Sequence, residues 1–561
     1  MFLGGIFMVL RKKLALIFAL SSVGALSLVG CSSTGSNQGN SGSSKSIDPY
    51  AVLANENARK AIVMSIDRSE ITDVLLNNGS EPVSFITPKE LAFTKDGKDY
   101  RDIVGDMGYQ SNDEEAKKAW AKAKDELGFD TVTLELLSYE GESGRKTAEF
   151  IQSELNSNLE GLNLEIKQQP LKQKLDLASK GDYHIDLNGW SADYPDPLTF
   201  LEIFTTQGMY GQRLSYSNPD YDKLIEEAKV AETPEESFKK FGEAEKLFLD
   251  SANAAPLYQQ GTSFLQKSYV KDVVRYTYGS QASYKWADVD KESKQLNLTL
   301  AGDIPTLDVS QASYMDSFYM ITNTMEGLTR VDASGVATPA MAESWEQSED
   351  GKTWTFKIRK DAKWSNGDPV TARDFEYSWK RTLQPETASQ YGYVMYDIEG
   401  ASDYNNGKSE NADNVGVKAV DDYTLEVKLN KRVNYFDQLM SFCVFFPQNQ
   451  KFVEAQDGKN GTTAENSVYN GPFTMSTWKM DDLCVLSKNQ NYWDKNAVKL
   501  DTVNLKVVKD TNAAINLYET DQIDVVGLTS ENVDKYKDSK EFMTTKKAET
   551  FFLLINNKGA K

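Results

Sequence analysis

Histidine is almost missing from this chain of 561 residues, which carries one, His184. Any Ser–His–Asp triad or histidine-based metal site would have to be built on it. The run Tyr183-His184-Ile185-Asp186 alternates like a strand, not like a catalytic loop. No Gly-x-Ser-x-Gly elbow and no His-Glu-x-x-His pair occurs. The 83 acidic residues supply carboxylate pairs everywhere and single none out for glycoside hydrolysis. The chain therefore reads as a binder, not an enzyme, with no cofactor implied and no histidine-rich metal or haem site. Cysteine is scarce as well, at three. Cys443 and Cys484 match no zinc spacing and cannot staple a scaffold. They read as buried free thiols, with a disulfide between them as the alternative.

Positive charge is also short: the net charge is -21, spread along the chain without a basic stripe. That excludes a nucleic-acid partner, since nothing would displace counterions from phosphates. Long apolar runs are confined to the N-terminus. Arg11, Lys12 and Lys13 precede the apolar stretch 14–20, which continues to Val29 and ends in Leu28-Val29-Gly30-Cys31. A charged region, an apolar core and small residues before a cysteine form a secretory signal resembling a bacterial lipobox. Residues 1–30 are expected to be a lipoprotein signal peptide, with palmitate-type acylation on Cys31. Residues 31–48, rich in Ser, Gly and Asn, are expected to be a flexible tether. The expected location is the outer face of the cytoplasmic membrane, as on a Gram-positive cell.

The remaining chain is too long for one core. Residues 50–260 alternate helical and strand patterns: helix at 114–128, strand at 131–137, helix at 145–155, strand at 162–167, helix at 171–179 and strand at 183–189, then helices at 219–231 and 234–250. This order implies a parallel or mixed sheet covered by helices. From about Gln295 the texture changes: strands at 296–301, 354–358 and 423–429, helices at 313–328 and 370–383, then strand–helix–strand over 503–524 and a last apolar strand at 551–555. Asp288 to Lys294 is a charged connector.

The second half contains Ala342-Glu343-Ser344-Trp345, Asp350-Gly351-Lys352-Thr353-Trp354-Thr355-Phe356 and Trp364-Ser365-Asn366-Gly367-Asp368-Pro369-Val370-Thr371-Ala372, followed by Asn470-Gly471-Pro472-Phe473 and Asn491-Tyr492-Trp493. The first half contains Gly189-Trp190-Ser191-Ala192-Asp193-Tyr194-Pro195-Asp196-Pro197 and Ala255-Pro256-Leu257-Tyr258-Gln259. Together these resemble the oligopeptide-binding lipoproteins of ABC importers, the family 5 extracellular solute-binding proteins. The resemblance implies an α/β fold of the two-lobed periplasmic-binding-protein type (cluster C), with mixed sheets and an interlobe cleft. It also implies an oligopeptide ligand, ABC transporter permease subunits as partners, and a monomer. Sugars, signalling peptides and metal complexes are the alternative ligands for this fold.

The order of the halves departs from the family, whose usual start lies here near Gln295 and whose usual end lies near Trp286. The chain resembles a circularly permuted member, whether by gene rearrangement or by assembly or engineering of the sequence. Residues 49–261 would form the peptide-binding lobe and 262–561 the second lobe. One interlobe crossover would survive near Gly261 and the other would be cut, loosening the hinge.

A peptide receptor must recognise an ammonium, a backbone and side chains of any kind. Asp193 is the candidate for the ammonium, since a carboxylate in a water-excluded cleft makes a strong charge-assisted bond. By turn chemistry alone it reads as a cap before Pro195; the resemblance reverses that. Gly189, Trp190, Ser191 and Ala192 would provide backbone and an aromatic wall. Asp303, Ile304 and Pro305 would pair with the peptide, and Tyr391, Tyr393 and Tyr258 would line the cleft. Trp345, Trp354, Trp364 and Trp379 are expected to build scaffold. No basic anchor for a peptide carboxylate stands just before the Trp190 motif.

Overall fold

The structure, a computed structural model, describes residues 45–140, 142–192, 194–280 and 282–558. The stretch expected to be a signal peptide, Cys31 and most of the expected tether lie outside the described residues. Among these, no helix is long and apolar enough to cross a membrane.

In the first lobe, α1 (Glu56–Met64), α2 (Asp113–Leu127), β1 (Val132–Tyr139), α3 (Glu142–Asn158), β2 (Leu162–Gln169), α4 (Leu171–Ser179) and β3 (Ile185–Ser191) follow the expected alternation. α5 (Pro219–Lys229), α6 (Pro234–Asp250) and the long strand β4 (Ala254–Gln266) come next. Local chemistry fixes the ends. Asn112 accepts the Glu115 N–H to cap α2, acidic residues fill its first turn, and Gly128 closes it at φ 68°. Ala116, Trp120 and Ala123, at helical spacing, are its buried stripe.

In the second lobe, β5 (Val274–Arg275) pairs with β6 (Ala282–Ser283). β7 (Gln295–Leu300), α7 (Met315–Thr324), β8 (Ala342–Gln347), β9 (Thr353–Ile358), α8 (Ala372–Leu383), β10 (Val417–Asp421) and β11 (Thr424–Lys428) follow. Then come β12 (Phe473–Lys479), β13 (Leu483–Lys488), β14 (Thr502–Val507) and α9 (Thr511–Glu519), after which β15 (Val525–Gly527) and β16 (Phe542–Ile555) return to the sheet of the first lobe. One sheet runs β7-β14-β13-β12, parallel only between β7 and β14. A second, β8-β9-β11-β10, is antiparallel throughout. α8 starts at a Thr371/Asp374 capping box and buries Phe375, Trp379 and Leu383. Trp354, Trp364 and Trp379 are buried in this lobe's core, with Trp345 packed against it, as expected of scaffold. Cys443 and Cys484 are buried and unbridged.

The first lobe is built on a mixed sheet whose path runs β4-β16-β3-β1-β2. β1 is parallel to β2 and β3, and β16 is antiparallel to β3 and β4. The period-two alternation of strands divides its apolar residues between two cores. Leu553 and Ile555 face the side covered by α1, α2 and α3; Phe552 and Leu554 face α5 and α6.

β16 overturns the expectation of a cut hinge. It extends thirteen residues back from Ile555 to Phe542, and pairs with β4 from Leu554↔Ala254 to Phe542↔Leu265, interrupted by register shifts near Lys546/Thr550 and Phe551/Phe552. Two crossing strands therefore join the lobes, and the 548–555 stretch belongs to the first lobe's sheet. The opening expected from sequence, between Asn556 and about Pro49, lies just past the end of this strand. There the Asn556 side chain donates to the Tyr183 carbonyl, which also accepts the Tyr50 hydroxyl, roughly 30 Å along the strand from Lys546. The hinge keeps both covalent links.

Gly261 sits at this crossing. A Cβ there would fall 2.1 Å from backbone atoms of Gly79, so the two chains approach only because the side chain is absent. Gly261→Ala is expected to cost roughly 1–3 kcal/mol, as overpacking against backbone does. Urea unfolding of the variant with an unchanged midpoint would show that the contact is looser than drawn.

Candidate ligand-binding cleft

A cavity of about 560 Å³ opens where the lobes meet, with walls from both. The first lobe contributes the end of β3, Ser191 and Ala192. The crossing strands contribute Thr262 and Phe264 from β4 and residues 545–549 from β16. The second lobe contributes the non-strand stretch 276–280 and an aromatic group of Phe318, Tyr391 and Phe442, whose rings meet edge-on at 5.2 to 5.9 Å. Main-chain bonds close the walls: Ala192 N–H donates to the Ala548 carbonyl and Ala548 N–H to the Thr277 carbonyl, both at 2.8 Å.

Charge is unevenly placed on these walls. Burial pushes the Glu549 carboxyl above its ordinary range, opposed by Lys547 and the Ser191 hydroxyl. Burial works against the Lys546 ammonium, yet ion pairs with Glu81 (3.0 Å) and Glu90 (3.5 Å) hold its pKa up. Burial lowers Arg275. Tyr284 and Tyr319 share a short hydroxyl–hydroxyl contact at the cavity wall.

The sequence-derived residues divide sharply. Ser191, Ala192 and Tyr391 line the cavity. Tyr393 is exposed and stacks at a tilt on Tyr391. Asp193 lies outside the described residues, one position beyond Ala192. Trp190 is not a cavity wall: strand alternation turns its ring into the first-lobe core, edge-on to Tyr210 at 5.8 Å. Tyr258 is 1% exposed and stacks on Phe551 (4.8 Å, 15°), whose ring would meet a Cβ on Gly189 at 3.0 Å. Gly189 and Tyr258 thus belong to one aromatic stack across three strands, where the glycine leaves room for the ring. Asp303, Ile304 and Pro305 are likewise not among the cavity walls. Ile304 enters the second-lobe core, and Asp303 accepts the Asp481 N–H at 2.6 Å, which pins the loop against the β12–β13 turn. Sequence reasoning missed Arg275, residues 276–280 and 545–549. These lie on a crossing strand, a two-residue strand and irregular backbone, which carry neither periodicity nor motif.

His184, the single histidine, is engaged by the sheet. Its Nδ1 accepts the Glu135 N–H at 3.0 Å, so it extends the sheet, and burial lowers its pKa. Among the described residues no cluster of His, Cys, Asp and Glu could hold a metal ion.

Residues 36–212 and 336–561 match the model of the bacterial extracellular solute-binding proteins, family 5 Middle. The oligopeptide-binding protein OppA of Bacillus subtilis is 40% identical over 252 residues, 45% of this chain and 46% of that protein. The dipeptide-binding protein DppE of the same organism is 41% identical over 240 residues, 43% and 44% of the two chains. A solved structure of Listeria monocytogenes OppA bound to peptide is 40% identical, covers 45% of this chain and 49% of that one, and has a TM-score of 0.44. The chain spans about half the length of the curated relatives it matches.

Proposed function

Because this chain belongs to the bacterial extracellular solute-binding proteins of family 5, we propose that it captures oligopeptides in the interlobe cavity and delivers them to an ABC transporter permease. The observation that carries this reading is the cavity itself, lined from both lobes, with a strand end and irregular main chain on its walls and aromatic rings behind. Main-chain groups bind any peptide as an added strand, and rings accept varied side chains. In this reading Asp193, with Glu549 beside Ser191, receives the ligand's ammonium. A lipid on Cys31 holds the protein, as a monomer, at the outer face of the membrane. The halves stand in permuted order, with both crossing strands preserved.

Mass spectrometry of what co-purifies with the full chain tests this. Extended peptides of mixed sequence are expected; a single sugar or metal complex would replace the proposal. In titrations, acetylating the amino terminus of a bound peptide should weaken it at least tenfold. Equal affinity for blocked and free amines would remove the ammonium from the recognition scheme.

A further inference from the structure

Arg275 is a half-buried cation on the cavity wall. Its guanidinium lies 4.3 Å from the centre of the Phe264 ring, and its Nη2 donates to the neutral Gln266 Oε1 at 2.5 Å. Among the described residues no carboxylate lies within ion-pairing distance of it. The ionisable groups that act on it are the Tyr284 and Tyr319 hydroxyls, which burial keeps protonated. The other cation half-buried in the cavity wall, Lys546, is already neutralised by Glu81 and Glu90.

A cation withdrawn from water without a counter-charge is costly, and the cost falls when an anion docks against it. A planar guanidinium with unspent N–H donors fits a carboxylate in two-pronged fashion. Ring contact with Phe264 and the bond to Gln266 hold the fork in place before any ligand arrives.

We propose, resting on the peptide-binding reading above, that Arg275 receives a carboxylate of the bound peptide and makes the cavity bipolar. The register gives the spacing. Glu549 stands opposite Ser191 at one end, and Phe264, beneath Arg275, stands opposite Met543 at the other. A register shift near Lys546/Thr550 shortens this span, which is read on β4: from Gln259, opposite Thr550, to Phe264 it covers roughly 15 Å at about 3.3 Å per residue. An extended peptide of about four to five residues bridges ammonium and carboxylate.

Calorimetric titration of the full chain with four- to five-residue peptides of neutral side chains tests this. Each peptide is supplied as free acid, as C-terminal amide, and as amide with one glutamate near its end. For the wild type, amidation should weaken binding at least tenfold. Arg275→Gln should bind acid and amide alike, and Arg275→Lys should keep part of the preference; thermal unfolding confirms that each variant is folded. Recovery of affinity by the glutamate-bearing amide assigns the carboxylate to a side chain; its absence assigns it to the terminus. Equal wild-type affinity for all three forms, or full discrimination retained by Arg275→Gln, overturns the role of Arg275 while peptide capture stands. Failure of every peptide to bind overturns both.

Discussion

Replacing Glu326 by alanine is expected to lower the unfolding free energy by about 3–5 kcal/mol, the range for stripping one partner from a buried charge cluster. Glu326 is fully buried. Its Oε1 accepts from Arg330 Nε at 2.7 Å and from the Tyr492 hydroxyl at 2.6 Å, and Oε2 accepts from Trp493 Nε1 at 2.6 Å. Lys285 Nζ lies 3.6 Å away and has a second partner in Asp494 at 3.0 Å. Without the carboxylate, Lys285 would keep only the part-exposed Asp494, and Arg330 only neutral acceptors in the Ser283 hydroxyl and the Thr322 and Met325 carbonyls. Burial alone would raise the Glu326 carboxyl, but Lys285 and Arg330 hold it down to about 2. A folded-state pKa below the ordinary value means that this stabilisation is present above about pH 4.5 and is lost as pH falls toward 2. By linkage it amounts to roughly 3 kcal/mol, in line with the substitution estimate. Urea midpoints at pH 7 should fall for Glu326→Ala, and Glu326→Gln should flatten the acid limb. An unshifted midpoint would mean that the cluster relaxes into water.

The same cluster shows what the sequence could and could not convey. Asn470, Tyr492 and Trp493 stood out in recognisable motifs, yet their work is structural. Asn470 brackets the main chain of Glu326, donating to its carbonyl and accepting its N–H, while the two aromatics donate to its carboxylate. The alternation of helices and strands through 113–191 was legible because each element packs one face on a core. β16 was legible only from 551 to 555, where alternate residues enter two cores. Its first half, Met-Thr-Thr-Lys-Lys over 543–547, crosses between lobes with no core on either face, so no apolar period marks it. The cleft followed the same logic. Ser191 and Ala192 could be read from a motif, whereas Arg275 and Glu549 reach the cavity through pairings between distant segments. Trp190 and Tyr258 carried aromatic chemistry, but strand alternation, invisible in a motif, sends both rings into cores.

Asp196→Asn should stabilise the protein at pH 8 by about 2–4 kcal/mol and remove part of its pH dependence. Asp196 lies in the loop where the lobes touch: the neighbouring Tyr194 ring stacks on Tyr435 at 5.1 Å and 5°, and Asn434 Nδ2 donates to the Ala231 carbonyl at 3.2 Å. Burial pushes the Asp196 carboxyl up to about 7. Glu202 and Asp397 add to this, while the Leu198 N–H and Lys431 oppose it. Lys431, the one nearby cation that opposes the shift, is itself engaged by Asp397 at 2.9 Å, so it relieves the shift only in part. Because the folded-state pKa lies above the unfolded one, folding favours the protonated acid. The penalty is absent below about pH 4, grows as pH rises, and is complete above 7, where linkage puts it near 4 kcal/mol. Asparagine keeps the oxygen that accepts the Leu198 N–H at 2.9 Å and turns donors toward the two nearby acids. Asp186 and Asp374, both pushed up to about 6, titrate in the same window with the same sign. The wild-type slope between pH 5 and 8 is therefore shared, and the difference between the two proteins isolates Asp196. Melting temperatures should converge near pH 4 and separate progressively toward pH 8; parallel curves across that range would mean that this acid is already hydrated where the lobes meet.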